Sequence, residues 1–344
     1  PTAPAWRSDL PEDALTTALA ALEGPLRVYV HVPFCREQCL YCGCNMVVAR
    51  RQEAGDRYLD ALEAQLTALP GPVQREASRL HLGGGTPTWL TPAQLDRLFG
   101  MVRSLFSWTD GHASVEVDPE VTTGEHLDAL ARNGVGRLSV GVQSFDPVVQ
   151  EAVNRVQDPD GIRAVVEGAR SRGIARINLD LIYGLPHQGV ASMEETLTRA
   201  IALRPDRLAV FGYAHVPWMK PHQQRLDAEA LPGPEVRAEL LLLAQRRLIA
   251  AGYDPIGFDH FALPDDPLAV AAREGRLNRD FMGYTAQPDM PLVGFGPSAI
   301  SQLADRFLQV EPHLGRWTRA ALRGSLPVVR GMILDREDQL RQEI

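Results

Sequence analysis

An α/β fold, a parallel sheet covered by helices, is what this sequence predicts. Short apolar β-rich runs alternate with helical stretches over most of the length, and the spacing between runs is that of crossover connections. Handedness then favours either a barrel or a doubly wound sheet.

The first strand is Leu26–Val32 (LRVYVHV), which runs into a cysteine-rich loop. A helical pattern follows at 57–68. The next strand, 79–82, leads straight into three glycines at 83–85. A helix begins near Pro92, with Thr91 as its N-cap. Strands are expected at 114–117, 137–142, 175–182 and 207–213. Helical segments near 125–132, 147–155, 161–172 and 192–203 lie between or beside them. The stretch 234–251 is strongly helical, and 218–234, with its Pro and Gln residues, reads as a connection or lid. Residues 335–344 read as a charged helix that stops without a C-cap glycine, so the chain is expected to be truncated there. It also starts on Pro1 rather than Met. No solenoid-type repeat is present.

Composition bounds the function. The 344 residues are 45% hydrophobic and 23% charged, enough for one large core or two modest ones. No run approaches the ~20 apolar residues of a membrane span, and no secretory segment opens the chain. A formal net charge of -8 argues against nucleic acid as the main partner, though arginines inside a pocket can still hold a small anion. All four cysteines lie between positions 35 and 44. A secreted disulfide framework would spread them to close long loops, so the cluster reads as metal-binding in a reducing compartment, the cytoplasm. Monomer is the default.

Cys35, Cys39 and Cys42 have the spacing C-x3-C-x2-C. Such a loop can direct three thiolates at three corners of an iron–sulfur cube and leave one iron open to chelate an amino and a carboxylate group. The competing reading is a structural zinc site. Zinc usually takes two knuckles a dozen or more residues apart, and Cys44, two positions after Cys42, closes a tetrahedron poorly. The glycines at 83–85 read as a tight turn or as a cradle that lets a ligand approach the backbone. Glu116 and Asp180 lie at or near strand ends, where barrel carboxylates face the mouth.

The loop resembles the signature of the radical S-adenosylmethionine superfamily. The string YVHVPFCREQCLYCGCN is similar to the oxygen-independent coproporphyrinogen III oxidases (dehydrogenases). So, in the same order, are LHLGGGTPTWL, VEVDPE, RLSVGVQSFD, VNRVQ, INLDLIYGLP, FGYAHVP, GFDHFALPDD and GYTAQPD, from about 26 to 300. The resemblance implies an incomplete (β/α)6-type barrel with parallel strands. It divides the chain into a partial N-terminal arm (1–25), a barrel core (26–215), a completing and substrate-covering region (216–310) and the start of a truncated C-terminal helical domain (311–344).

It also implies a [4Fe–4S] cluster on Cys35, Cys39 and Cys42 and two molecules of S-adenosylmethionine. Tyr29, Gly84, Glu116 and Ile300 would surround the first. Tyr41, Gly85, Thr86, Gln143, Arg155, Asp180 and Ala214 would surround the second. The implied reaction converts the ring A and B propionates of coproporphyrinogen III to vinyl groups, giving protoporphyrinogen IX, through a 5′-deoxyadenosyl radical. A flavodoxin- or ferredoxin-like electron donor is expected. Cys44, in a Gly43-Cys44-Asn45 string, is a candidate for a catalytic thiol and favours an oxidase over a heme chaperone, whose motif looks like C-x3-C-x2-C-x-F. A heme chaperone or a tetrapyrrole methyltransferase on the same fold is the alternative. Four substrate carboxylates call for arginines, with Arg155, Arg27 and Arg137 as candidates on charge.

Overall fold

The structure, a computed structural model, describes residues 6–11, 13–69, 75–287 and 290–342. The chain runs α1 (Ala14–Ala21), β1 (Leu26–Val32), β2 (Phe34–Cys35), β3 (Val47–Val48), α2 (Glu53–Thr67), β4 (Arg75–Gly84), α3 (Pro92–Leu105), β5 (Phe106–Ser107), β6 (Ala113–Val117), α4 (Gly124–Arg132) and β7 (Val135–Gln143). It continues as α5 (Pro147–Ala152), α6 (Pro159–Ser171), β8 (Arg176–Tyr183), α7 (Val190–Ala202), β9 (Arg207–Gly212), α8 (Pro234–Ala250), β10 (Asp254–Ile256), β11 (His260–Ala262) and α9 (Pro267–Arg273). The last part is β12 (Asn278–Asp280), β13 (Gly283–Thr285), β14 (Leu292–Phe295), β15 (Ile300–Leu303), β16 (Arg306–Val310), α10 (Leu314–Ala321), β17 (Val328–Ile333) and α11 (Arg336–Gln342).

Strands β1, β4, β6, β7, β8 and β9 pair in parallel, with a helical crossover between each strand and the next. Alternation along each strand sorts the side chains. Val28, Val30, Leu80, Leu82, Val115 and Leu138 are fully buried in the main core, which also takes Tyr58, Leu59 and Leu62 of α2 and Leu95 and Leu98 of α3. The alternate residues line the barrel interior, and they are polar: Arg27, Arg79, His81, Ser114, Glu116, Arg137 and Asp180. Barrel enzymes commonly fill this space with branched apolar side chains. Here it is a polar chamber.

The barrel does not close. The outer edge of β9 is taken by antiparallel β11 and that of β1 by parallel β14, so β1 and β9 never pair. The β12–β13 hairpin spans the gap with side chains. On one side Asp280 pairs with Arg27 and Phe281 meets Tyr29 edge-on, ring centroids 5.8 Å apart. On the other, Tyr284 meets His260 edge-on at 5.2 Å.

Thr91 caps α3 in a full capping box: its hydroxyl accepts from the Gln94 N–H and the Gln94 side chain accepts from its own N–H. Other elements differ from the sequence reading. Helix α5 stops at Ala152, not 155, because Asn154 turns to φ 53. The segment expected as a connection, 218–234, carries two short 3-10 turns. Residues 311–344, expected to open a helical domain, carry α10 and α11 but also β17, which extends the sheet through β16. Within 1–25, α1 buries Leu15 and Leu19, and Trp6 stacks on Phe307. Among the described residues no helix is long and apolar enough to cross a membrane.

Candidate active site

The cysteine loop leaves the C-terminal end of β1 and is cinched at its base. Phe34 is fully buried against Trp89, centroids 4.5 Å apart. Cys35 pairs with Val48 and Phe34 with Val47, returning the chain to its starting point. Neighbouring elements hold the loop's backbone. The Leu40 N–H donates to Val153 O (2.9 Å), the Asn154 amide to Gln38 O (3.0 Å) and the Gln223 amide to Tyr41 O (3.1 Å). His222 Nε2 reaches Cys42 O at 2.8 Å. The loop is therefore shaped by the fold.

Each of the three spaced thiols is half-buried and has its own partner. Cys35 Sγ lies 3.5 Å from Thr86 Oγ1, Cys39 Sγ accepts from Arg155 (3.4 Å), and Cys42 Sγ accepts from the Cys44 N–H (3.4 Å). Burial pushes the Cys35 thiol up to about 12, so it keeps its proton at neutral pH until a metal replaces it. Among the described residues no trio of His, Cys, Asp or Glu could hold a single metal ion. One zinc needs every sulfur at about 2.3 Å from one point, whereas a cube spreads its thiolates. Three soft thiols in one loop, with N–H and O–H groups directed at their sulfurs, fit an iron–sulfur cluster. Cys44 faces the same space: its free thiol hydrogen-bonds to Cys42 and feels the charges of Glu116 and Cys35.

The glycines end β4 rather than forming a separate turn, and sterics explain them. Gly84 has φ 115, and a Cβ there would stand 2.6 Å from the His31 ring; at Gly85 it would meet the Phe34 carbonyl oxygen at 2.6 Å. The Gly84 N–H donates to Glu116 Oε2 (3.1 Å), and His81 Nε2 holds the other oxygen at 3.2 Å. Burial opposes ionisation of Glu116, but His81 and the Gly84 amide outweigh it and keep the carboxyl below its ordinary range. The Glu116 side chain is still 41% exposed, because it faces the chamber. Tyr29 stacks on His81 at 5.9 Å and shares a 2.9 Å hydrogen bond with His31 Nδ1. Tyr29 pairs with Gly294, and the Ile300 carbonyl lies 2.6 Å from where a Cβ on that glycine would be. Tyr29, Gly84 and Glu116 are thus linked through His81 and His31, and the Ile300 backbone packs against Gly294, the strand partner of Tyr29.

The remaining residues gather on the opposite flank. Arg155 lies in the turn after α5, where its guanidinium donates to Asp118 Oδ2 (3.1 Å), to Gly141 O (2.7 Å) and to Cys39. Tyr41 stands beside Cys39 and Arg155. Gln143 ends β7 with φ 67, the left-handed region, which a non-glycine residue adopts only when its surroundings impose it. Asp180 pairs with Gly141 and accepts from Ser139 (2.9 Å) and Asn178 (2.7 Å). Ala214 is exposed, and its carbonyl accepts from Gln223, which also holds Tyr41. Gly85 and Thr86 lie between the two flanks, next to Cys35. Of the arginines considered for the substrate, Arg27 is taken by Asp280 and Arg155 by Asp118, whereas among the described residues the side-chain contact of Arg137 is Ser114 Oγ (3.3 Å).

Sequence reasoning missed His81, His31, Asp118, His222 and Gln223. His81 and Glu116 both occupy inward positions of adjacent strands, a signal available once strand order is known. His222 and Gln223 sit in an irregular segment with no periodic signal.

The family model of the radical SAM superfamily matches residues 29–200. The oxygen-independent coproporphyrinogen III oxidase of Escherichia coli is 44% identical over the whole chain, which spans 76% of that protein. The protein of the same name from Bradyrhizobium diazoefficiens is 41% identical over 98% of this chain and 74% of its own length. The solved coproporphyrinogen III oxidase of Escherichia coli, described as a radical SAM enzyme, superposes with a TM-score of 0.94 at 43% identity, covering all of this chain and 80% of that one.

Proposed function

The chain belongs to the radical SAM superfamily and, within it, to the oxygen-independent coproporphyrinogen III oxidases, and from that membership we propose how its residues divide the work. The reaction is the oxidative decarboxylation of the ring A and B propionates of coproporphyrinogen III to vinyl groups, yielding protoporphyrinogen IX. Each propionate loses one hydrogen atom, one electron and CO2. The cofactors are a [4Fe–4S] cluster and S-adenosylmethionine, which together supply a 5′-deoxyadenosyl radical able to take that hydrogen atom.

The observation that carries this reading is the trio Cys35, Cys39 and Cys42 in a pre-shaped loop at the barrel mouth, with Cys44 beside them and engaged with Cys42. In this proposal the trio ligates the cluster and leaves one iron free. Tyr29, Gly84, Glu116 and Ile300 bind one S-adenosylmethionine. Tyr41, Gly85, Thr86, Gln143, Arg155, Asp180 and Ala214 bind a second. Glu116, kept ionised by His81, accepts hydrogen bonds from a ligand without giving up charge. The Gly84 and Gly85 backbone admits the ligand close to the sheet. The surrounding sheet and helices exclude bulk water from the reacting groups. Cys44 acts as a thiol that relays a proton or an electron. We further propose a cytoplasmic monomer served by a flavodoxin- or ferredoxin-like donor.

The test is anaerobic reconstitution with iron and sulfide, followed by dithionite, S-adenosylmethionine and coproporphyrinogen III. Protoporphyrinogen together with 5′-deoxyadenosine is the expected result. Stoichiometric heme binding without decarboxylation would instead identify a chaperone, and a methylated tetrapyrrole a methyltransferase.

A further inference from the structure

At the N-terminal end of the barrel, opposite the cysteine loop, four arginines line one cavity of about 200 Å³. Register brings them together. Arg27 on β1 pairs with Arg79 on β4, Arg137 on β7 pairs with Ser114 on β6, and Arg207 opens β9 beside Asn178. Two of the four are neutralised by buried carboxylates. Arg27 is matched by Asp280, with both side chains 4% exposed, and Arg207 by Asp266 at 2.7 Å, with 7% and 3% exposed.

The other two are not neutralised. Among the described residues neither Arg79 nor Arg137 is paired with a carboxylate, and the side-chain contact of Arg137 is the neutral Ser114 hydroxyl. The cavity's remaining carboxylates are engaged elsewhere, Glu116 by His81 and Gly84 and Asp180 by Ser139 and Asn178. Burial, and then the charges of Arg207 and Arg79, disfavour the Arg137 cation. Arg79 is disfavoured in the same way, by burial and then by Arg207 and Arg176. A guanidinium does not escape by shedding its proton. Unmatched charge in such a place is costly until an anion meets it.

We propose that Arg79 and Arg137, with the Ser114 hydroxyl on the strand between them, form a carboxylate-binding site on the floor of the barrel. Two planar guanidinium forks match a planar carboxylate. Pockets for drug-sized ligands run to ~300–1,000 Å³, so this one takes a small group on a short stem. The carboxylate has two sources. It is a propionate arm of the tetrapyrrole, which rests on the function proposed above, or it is a free small carboxylate. The same cavity reaches Glu116 and Asp180, so an arm entering from the cluster side meets the arginines at its end.

The test uses the full chain and its Arg79→Gln and Arg137→Gln variants. Thermal unfolding is followed against rising propionate at constant ionic strength, with chloride as the control. Binding of coproporphyrin III, the air-stable form of the substrate, is followed by fluorescence in parallel. Propionate raises the wild-type midpoint in a saturable way, chloride does not, and both variants lose the shift. Without propionate the variants melt no lower than wild type, because the charge removed had no carboxylate partner among the described residues. Coproporphyrin binding weakened about tenfold in the variants supports a propionate arm as the source, since charge-assisted bonds of this kind are lost. Unchanged porphyrin binding with the propionate shift lost supports a free carboxylate.

The proposal is overturned if wild type shows no propionate shift, if the shift survives both substitutions, or if the variants unfold early regardless of anion. As an independent check, Ser114→Ala, which keeps both charges, must also weaken the propionate response. Turnover is scored separately. A wild type that shows the shift but makes no protoporphyrinogen counts against the function alone.

Discussion

The guanidinium of Arg155 bonds to the sulfur of Cys39 at 3.4 Å while its other contacts anchor it to Asp118 and Gly141. One residue from the turn after α5 therefore places a fixed positive charge against a thiol proposed to ligate the cluster. Hydrogen bonds to ligand sulfur and local charge set cluster potentials. Arg155→Gln should shift the midpoint potential of the reconstituted cluster to more negative values in a redox titration followed by electron paramagnetic resonance. It should also cost about 2 kcal/mol of stability, somewhat less than a fully buried pair, because Asp118 loses its partner. An unchanged potential would show that this contact does not reach the cluster.

Cys39→Ser should abolish the brown chromophore after anaerobic reconstitution, while Cys44→Ser should keep it and lose turnover. Visible absorption and iron content decide. A colourless Cys44→Ser protein would mean that four cysteines, not three, carry the cluster.

Glycine positions provide a graded test. Gly84→Ala forces a side chain into φ 115 and against the His31 ring, and Gly85→Ala drives a methyl into the Phe34 carbonyl. Each should cost about 2 kcal/mol and weaken S-adenosylmethionine binding, measured by equilibrium dialysis. Gly100 lies inside α3 with open space around it, so Gly100→Ala should instead add up to about 1 kcal/mol and leave binding alone. Equal effects at all three sites would contradict the steric argument.

Burial, and then the charge of Glu116, raise the Asp180 carboxyl above its ordinary range, against the hydrogen bonds from Ser139 and Asn178. The native state then holds this proton more tightly than the unfolded chain does. The stability it contributes is complete below the ordinary carboxylate range and is lost as pH climbs through the raised value. Asp180→Asn removes that loss while keeping the shape. The variant should melt at or above wild type near neutral pH, with the gap narrowing in acid. A pH-independent loss of stability would count against this assignment.

The parallel strands and the cysteine loop were legible because their signals are local: apolar runs such as LRVYVHV, and three cysteines within eight positions. The polar bore was half visible in the alternation of Arg27, Tyr29 and His31 within that same run. The charge balance of the arginines was not legible. Asp280 neutralises Arg27 across 253 positions, and nothing local marks Arg27 as matched and Arg137 as unmatched. The helix reading over 147–155 ran past Ala152 because the backbone reversal at Asn154 has no periodic signature, and that reversal is what turns Arg155 toward Cys39. Strands β14 to β17 escaped because each is short, and β14 takes its place in the sheet by parallel pairing with β1, far away in sequence.

In a closed barrel, strand number and stagger fix the diameter. Here β1 and β9 share no hydrogen bonds, and what stands between them is the ion pair of Asp280 with Arg27 and the ring contacts of Phe281 and Tyr284. Girth is thus a side-chain property. Substitutions in that one hairpin can resize the lumen for a bulkier or slimmer guest while every rung of the ladder stays intact.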